Sequence, residues 1–228
     1  MIAVLLCCEG PDDQGRKKYI DGEYIQSDGV MQILIKKTSG RNDLNFVVKQ
    51  RQDLKAISIR KKYLNKQQMT SLRLARLAQK EKCTHIAYHR DEDNKGLGEM
   101  YDQVKGYFKD AEANKTSCLA IVPQHMTESW LLSDKNAFKQ VFGEIPAKPA
   151  ALPPKPEETW GNKGTDKHPK RYLERVLAQY HHTTVSSEIY AEIAENSDID
   201  VLRERCRESF DKKFYTDMQS FITTETAP

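Results

Sequence analysis

Two groups of acids stand directly behind apolar runs in this chain of 228 residues. "IAVLLCC" (2–8) delivers Glu9, Gly10, Asp12 and Asp13, and "HIAY" (85–88) leads through His89 and Arg90 into Asp91, Glu92 and Asp93. Carboxylates that converge without a cation repel one another, which raises the pKa of at least one and costs stability. A divalent metal removes that cost. In extended chain alternate residues point the same way, so Asp91 and Asp93 can share an ion while Glu92 points elsewhere. Oxygen-only ligation selects Mg2+ or Mn2+ over zinc, and Mg2+ is held by one or two carboxylates with water or phosphate in its other positions. Such a site suits phosphodiester chemistry, in which the ion polarises a phosphoryl oxygen and supplies a water nucleophile. The rival reading of "DEDNKG" is an acid-rich turn that caps the next helix.

For these acids to meet, the apolar runs must be neighbouring strands of one sheet. Runs 2–8, 85–88 and 117–122 are continuous rather than alternating, as in strands covered on both faces, and they predict the centre of a parallel sheet. Ligands of such sheets bind beyond the carboxyl ends of the strands, which is where both acid groups fall. Further strands are expected at 31–35, 45–48 and 56–59. Helical spacing covers 66–80 and 97–112, "ESWLLSDKNAFKQVFG" reads as one broken helix or two short ones stopped by Gly143, and Ile199 to Phe221 form a long C-terminal helix with Ser197 and Asp200 as a capping box. The predicted fold is an α/β, Rossmann-like, mostly parallel sheet flanked by helices, with extra strands inserted and a helical C-terminal part. Its parts are a core over 1–143 with a basic insertion at about 28–66, a Pro-rich loop or lid over 144–169, and a helical part over 170–228 that packs on the core.

The net charge of +3 conceals an uneven distribution, because residues 36–82 hold 14 Lys and Arg against 3 Asp and Glu. A block of that kind is either a solvated face or a phosphate-binding surface. Within it Arg60, Lys61 and Lys62 are candidates for nucleic-acid contact, and so are Lys163, Lys167, His168, Lys170 and Arg171 around a glycine-containing loop that leads into a helix begun at Pro169. Five cysteines (Cys7, Cys8, Cys83, Cys118, Cys206) lack C-x-x-C spacing, which points to reduced thiols and a cytoplasmic protein without a membrane span. "MIAVLLCC" has no basic residue ahead of it and is too short to span a bilayer, so it is read as the first core strand. Glu128, just past the strand 117–122, either reaches the crevice or favours the positive end of its own helix. Trp130 is read as core, His89 as a strand histidine able to support Asp91, and His181 and His182 as surface.

"LLCCEGPDD" followed by "HIAYHRDEDNKG" resembles the Toprim domain, the metal-binding fold of topoisomerases, bacterial primases and OLD-type nucleases. The resemblance makes Glu9 the motif glutamate, Asp13 the acid that sometimes follows it, and Asp91 and Asp93 the Asp-x-Asp pair. The chain is most similar to small stand-alone bacterial Toprim-like proteins of the RloB kind, whose "E-x-W-L-L-x-D" segment is matched here by Glu128, Trp130 and Asp134. The later "HPKRYLERVL" also resembles their C-terminal part. That resemblance implies Mg2+ or Mn2+ as cofactor, held by Glu9, Asp91, Asp93 and Asp13. It also implies a place in phage-defence operons with an OLD- or ABC-like ATPase partner. The interval from Gly10 to Asp91 exceeds what a compact Toprim core needs, and the basic strands must fill it. The expected function is a metal-dependent nuclease acting on DNA or RNA, with Glu9, Asp91, Asp93 and Glu128 catalytic. Two alternatives stand beside it: a non-catalytic nucleic-acid-binding or regulatory subunit of an ATPase complex, and a nucleotide-sugar transferase that grips a diphosphate through Asp-x-Asp.

Overall fold

A computed structural model describes the chain except for residues 11–12, 14, 16, 21–22, 60–62, 93–94, 144–151, 162–164, 166, 182–184 and 224–228, and gives only the backbone at 17–20 and 23–26. In chain order the strands are β1 (Ile2–Cys8), β2 (Lys17–Ile20), β3 (Glu23–Gln26), β4 (Leu44–Gln50), β5 (His85–His89) and β6 (Ser117–Ile121). The helices are α1 (Val30–Ser39), α2 (Lys66–Lys80), α3 (Leu97–Gly106), α4 (Lys109–Ala113), α5 (Thr127–Leu131), α6 (Lys135–Phe142), α7 (Pro169–Gln179), α8 (Ser187–Asn196), α9 (Ile199–Arg205) and α10 (Thr216–Thr223). A π-helical stretch, Arg207–Tyr215, joins the last two.

The main sheet has the order β4-β1-β5-β6 with every neighbouring pair parallel, and β2 and β3 form a separate antiparallel hairpin. Because side chains alternate along a strand, β1 feeds two cores at once. Val4, Leu6 and Cys8 face a core built with α1 and the C-terminal helices, while Leu5 and Cys7 face one built with α2, α3 and α4. Both faces are therefore covered, which is why β1, β5 and β6 read as unbroken apolar runs.

The other expected strands fare differently. Residues 45–48 lie inside β4, the edge strand, so part of the basic segment belongs to the sheet itself. Residues 31–35 belong to α1 and not to a strand. Val30 to Ile35 are all buried, between the sheet and α8, and a helix enclosed on most sides carries the same continuous apolar run as a buried strand. Gly40, at φ 64°, ends it in the left-handed conformation that glycine adopts without strain. Residues 56–59 form no strand either; a short 3-10 helix spans Asp53–Ala56.

The helical pattern at 97–112 breaks at Tyr107 and Phe108 into α3 and α4. At the C-terminus Ser197 closes α8, and the cap of α9 is Asp198, whose carboxylate accepts the Asp200 N–H at 2.8 Å. The apolar positions expected from 199 to 221 run through α9, the π-helical stretch and α10, where Phe210 meets Trp130 edge-on at 5.0 Å. Residues 152–161 lie along this helix as a strap. Arg205 holds it by donating to the Pro153 carbonyl, and the buried Glu157 carboxylate accepts the N–H groups of Glu208 and Ser209 at 2.9 and 2.7 Å. Among the described residues no helix is long and apolar enough to cross a membrane.

Candidate active site

Register brings Glu9 and Asp91 together. β1 and β5 pair with Cys7 opposite Tyr88, so the next positions set Cys8 against His89 and Glu9 against Arg90. On the other side β4 ends with Gln50 opposite Cys8, and the Arg51 N–H donates to the Cys8 carbonyl at 3.1 Å. Glu9 is thus bracketed. Its Oε1 accepts from Arg51 Nη1 at 2.8 Å, and its Oε2 accepts the Asp91 N–H at 3.2 Å, with Arg90 Nε at 3.9 Å. Sequence reasoning saw Arg51 only as one charge in a basic run, because its role depends on β4 lying beside β1.

Asp91 Oδ1 accepts the Thr127 N–H at the start of α5 at 3.1 Å, which ties the end of β5 to the loop after β6. His89 lies between two carboxylates, with Nδ1 3.5 Å from Asp13 Oδ2 and Nε2 3.5 Å from Asp91 Oδ1, and its side chain is wholly buried. Burial works against a charged ring, but the Asp13 carboxylate, the hydrogen bonds to Asp91 and Cys8, and the Asp91 charge outweigh it and raise its pKa well above 6.5. The two carboxylates thus favour the charged form of the His89 ring, whose Nε2 also lies 3.2 Å from Thr127 Oγ1. The sequence suggested support of Asp91; it gave no sign that the same ring reaches Asp13.

Glu128 is buried at the start of α5 and its Oε1 accepts the Tyr190 hydroxyl of α8 at 2.6 Å. Burial pushes its pKa up to about 7; the Tyr190 bond opposes this, and the charges of Asp91 and Asp13 add to it. Glu128 therefore belongs to the same electrostatic cluster as those two acids. Tyr190 escaped sequence analysis, since α8 lies far along the chain and its tyrosine sits on an ordinary apolar face.

Glu92 points away from Asp91. Its carboxylate accepts the N–H of Gly96 at 2.7 Å, just ahead of α3, and the N–H of His125 at 2.9 Å. The capping role weighed for the acid-rich turn thus falls to Glu92. Asp134 is also structural, for it accepts the N–H groups of Asn136 and Asp198, both at 2.8 Å, and joins α6 to α9. Trp130 is fully buried and donates to Ser209 at 2.7 Å.

Among the described residues no three His, Cys, Asp or Glu side chains are placed to ligate one ion, and Asp93 lies outside them. The donor chemistry nevertheless fits a hard divalent cation. Four carboxylates (Glu9, Asp13, Asp91, Glu128) meet three cationic side chains (Arg51, His89, Arg90), so the cluster gains a net negative charge once Glu128 ionises. All four acid donors are hard oxygens, and Glu9 and Asp91 stand just beyond the carboxyl ends of the neighbouring strands β1 and β5, the place where open parallel sheets bind ligands.

The cationic candidates divide. Arg60, Lys61, Lys62 and Lys163 lie outside the described residues. Lys167 and Lys170 are exposed, Arg171 pairs with Glu174 at 2.8 Å, and His168 is buried beside Trp160. Elsewhere in the basic segment Lys36 pairs with Asp28, Lys49 with Glu81 and Arg41 with Asp43, so three of its cations are engaged within the fold.

Against known proteins, a family model described as "Domain of unknown function (DUF4276)" matches residues 24–219, and the chain belongs to that family. No curated protein and no solved structure matches it.

Proposed function

For this member of the DUF4276 family we propose metal-dependent phosphodiester hydrolysis, with nucleic acid as the substrate class. One observation carries the reading: Glu9, Asp13, Asp91 and Glu128 crowd the carboxyl ends of β1 and β5 and the start of α5, with more acid than the surrounding cations offset when all are ionised. Glu9 and Asp91 would hold Mg2+ or Mn2+, with Asp13 and Asp93 as further ligands. When bound, the ion polarises a phosphoryl oxygen and lowers the pKa of a water. Arg51 orients Glu9, and the Thr127 N–H orients Asp91, so both carboxylates are fixed before any ligand arrives. Glu128, with its pKa near 7, takes a proton from the attacking water and returns one to the leaving oxygen. The exposed Lys167 and Lys170 supply charge for the phosphate backbone. The Toprim-like motifs favour the same chemistry, and the proposed ATPase partner and the setting in phage defence come from that resemblance.

The test is incubation of purified protein with mixed DNA and RNA substrates, with and without Mg2+ or Mn2+, beside Asp91→Ala and Glu9→Gln. The expected result is metal-dependent cleavage that both substitutions abolish while the far-UV spectrum is retained; undiminished cleavage by the variants refutes the assignment. A second reading, a nucleic-acid-binding subunit that does not cut, is favoured by the occupation of both Glu9 oxygens and by the imidazolium of His89, which together balance the cluster without a metal while Glu128 holds its proton. Binding of nucleic acid by a chain that takes up no Mn2+ would select it.

A further inference from the structure

One aromatic group beside the acids has no part in the mechanism above. Trp160, partly exposed on the strap, stacks on His125 with ring centroids 4.5 Å apart and planes 23° from parallel. His125 is held firmly. Its N–H donates to Glu92 at 2.9 Å, its Nδ1 lies 2.9 Å from the same carboxylate, and its ring reaches the Glu157 backbone. Its φ of 66° is uncommon for a residue with a Cβ, a conformation that persists only where the surroundings enforce it. The strap beneath Trp160 is fixed by the Glu157 carboxylate on the Glu208 and Ser209 N–H groups. The indole is thus held in place, covered on one face by His125, with the tilted His168 ring 5.9 Å away, and it remains partly exposed.

Its position gives that surface a use. Glu92 follows Asp91 directly, and two residues after His125 the Thr127 N–H binds Asp91, so the stacked pair and the proposed phosphate site share one loop. A few residues further along the chain stand the exposed Lys167 and Lys170, and Lys167 packs beside Gly161, the neighbour of Trp160. Aromatic rings near lysines are the means by which proteins bind single-stranded nucleic acid, each unstacked base lying on a ring while cations follow the backbone.

We propose that Trp160 is a stacking platform for one unpaired nucleobase next to the scissile phosphate, which makes single-stranded DNA or RNA the preferred substrate. The location of the phosphate rests on the hydrolase reading; the stacking itself does not. The sequence holds two tryptophans, and Trp130 is fully buried, so quenching of fluorescence by a soluble base reports on Trp160.

The experiment titrates the full chain, in EDTA, with a single-stranded oligonucleotide, a blunt duplex of the same sequence, and base-free polyphosphate, and compares it with Trp160→Leu and Trp160→Phe, whose affinities, like the parent's, are read from the anisotropy of a dye-labelled oligonucleotide. Quenching by the single strand alone is expected, with affinity reduced roughly ten- to a hundredfold in Trp160→Leu and largely kept in Trp160→Phe. Equal quenching by polyphosphate or by duplex, no quenching at all, or unchanged affinity of folded Trp160→Leu overturns the proposal. Should the leucine variant fail to fold, the three-ligand comparison on the unaltered chain still decides. A parallel incubation with Mg2+ separates the two claims. Base-dependent quenching without cleavage leaves the platform and removes the hydrolase, whereas cleavage lost in Asp91→Ala but indifferent to Trp160 does the reverse.

Discussion

Replacing Glu128 by Gln tests the electrostatics of the cluster without requiring a substrate. The carboxyl is pushed from 4.5 up to about 7 in the folded chain, chiefly by burial, with Asp91 and Asp13 adding to the shift. Between these two values the folded protein holds a proton that the unfolded chain has released. Folding is therefore disfavoured progressively as pH rises from about 4.5 through 7, and the loss at pH 8 from this one group is on the order of 3 kcal/mol. Glutamine keeps an acceptor for the Tyr190 hydroxyl and never ionises. In EDTA, Glu128→Gln and the parent should unfold at similar urea concentrations at pH 4.5, and the variant should be more stable by on the order of 3 kcal/mol at pH 8. His89, with its raised pKa, also favours folding less as pH rises above 6.5, but it does so in both proteins and cancels in the comparison. Added Mg2+ at pH 8 should restore stability to the parent more than to the variant. Parallel stability curves for the two proteins from pH 4.5 to pH 8 would show that Glu128 is not a buried acid among like charges, and its proposed role in proton transfer would go with it.

Arg51→Gln removes the donor that orients Glu9, so calorimetric Mg2+ affinity should fall severalfold; a rise would mean that Arg51 competes with the ion for the carboxylate and does not position it. Glu157→Ala strips the acceptor from two backbone N–H groups of the C-terminal helix and frees the strap. It should cost about 1–3 kcal/mol in urea unfolding and speed proteolysis within 152–161, with equal cleavage rates arguing against the latch. Binding to duplex or single-stranded DNA should weaken with salt, by about 0.7–0.9 log unit per log unit of salt for each phosphate contacted, measured by anisotropy, and a flat response would remove the lysines from the interface.

The three central strands were legible because a strand covered on both faces leaves an uninterrupted apolar run; that β1 and β5 are neighbours, the condition for Glu9 and Asp91 to meet, is given by the pairing of the strands in the sheet. The same rule misassigned 31–35, since α1 is enclosed almost as fully; the stronger signals there were the glycines at 29 and 40 that bound it. The hairpin of β2 and β3 was missed although Asp21-Gly22 stands between its strands, a dipeptide typical of tight hairpins. Arg51, Tyr190 and Trp160 were beyond reach for another reason. Each acts through a partner more than 30 residues away, and no local pattern encodes such a pairing.

The placement of β1 inside the sheet carries a consequence for how the molecule forms. β1 pairs with β4 on one side and β5 on the other, so its two ladders close only after residues 44–50 and 85–89 have been made. Parallel pairings across such long intervals assemble slowly, because each requires a large loop to close before its contacts form. Until then "IAVLLCC" is an uncovered adhesive segment in the nascent chain, and this protein's yield at high expression will be governed by how quickly that segment is sheltered.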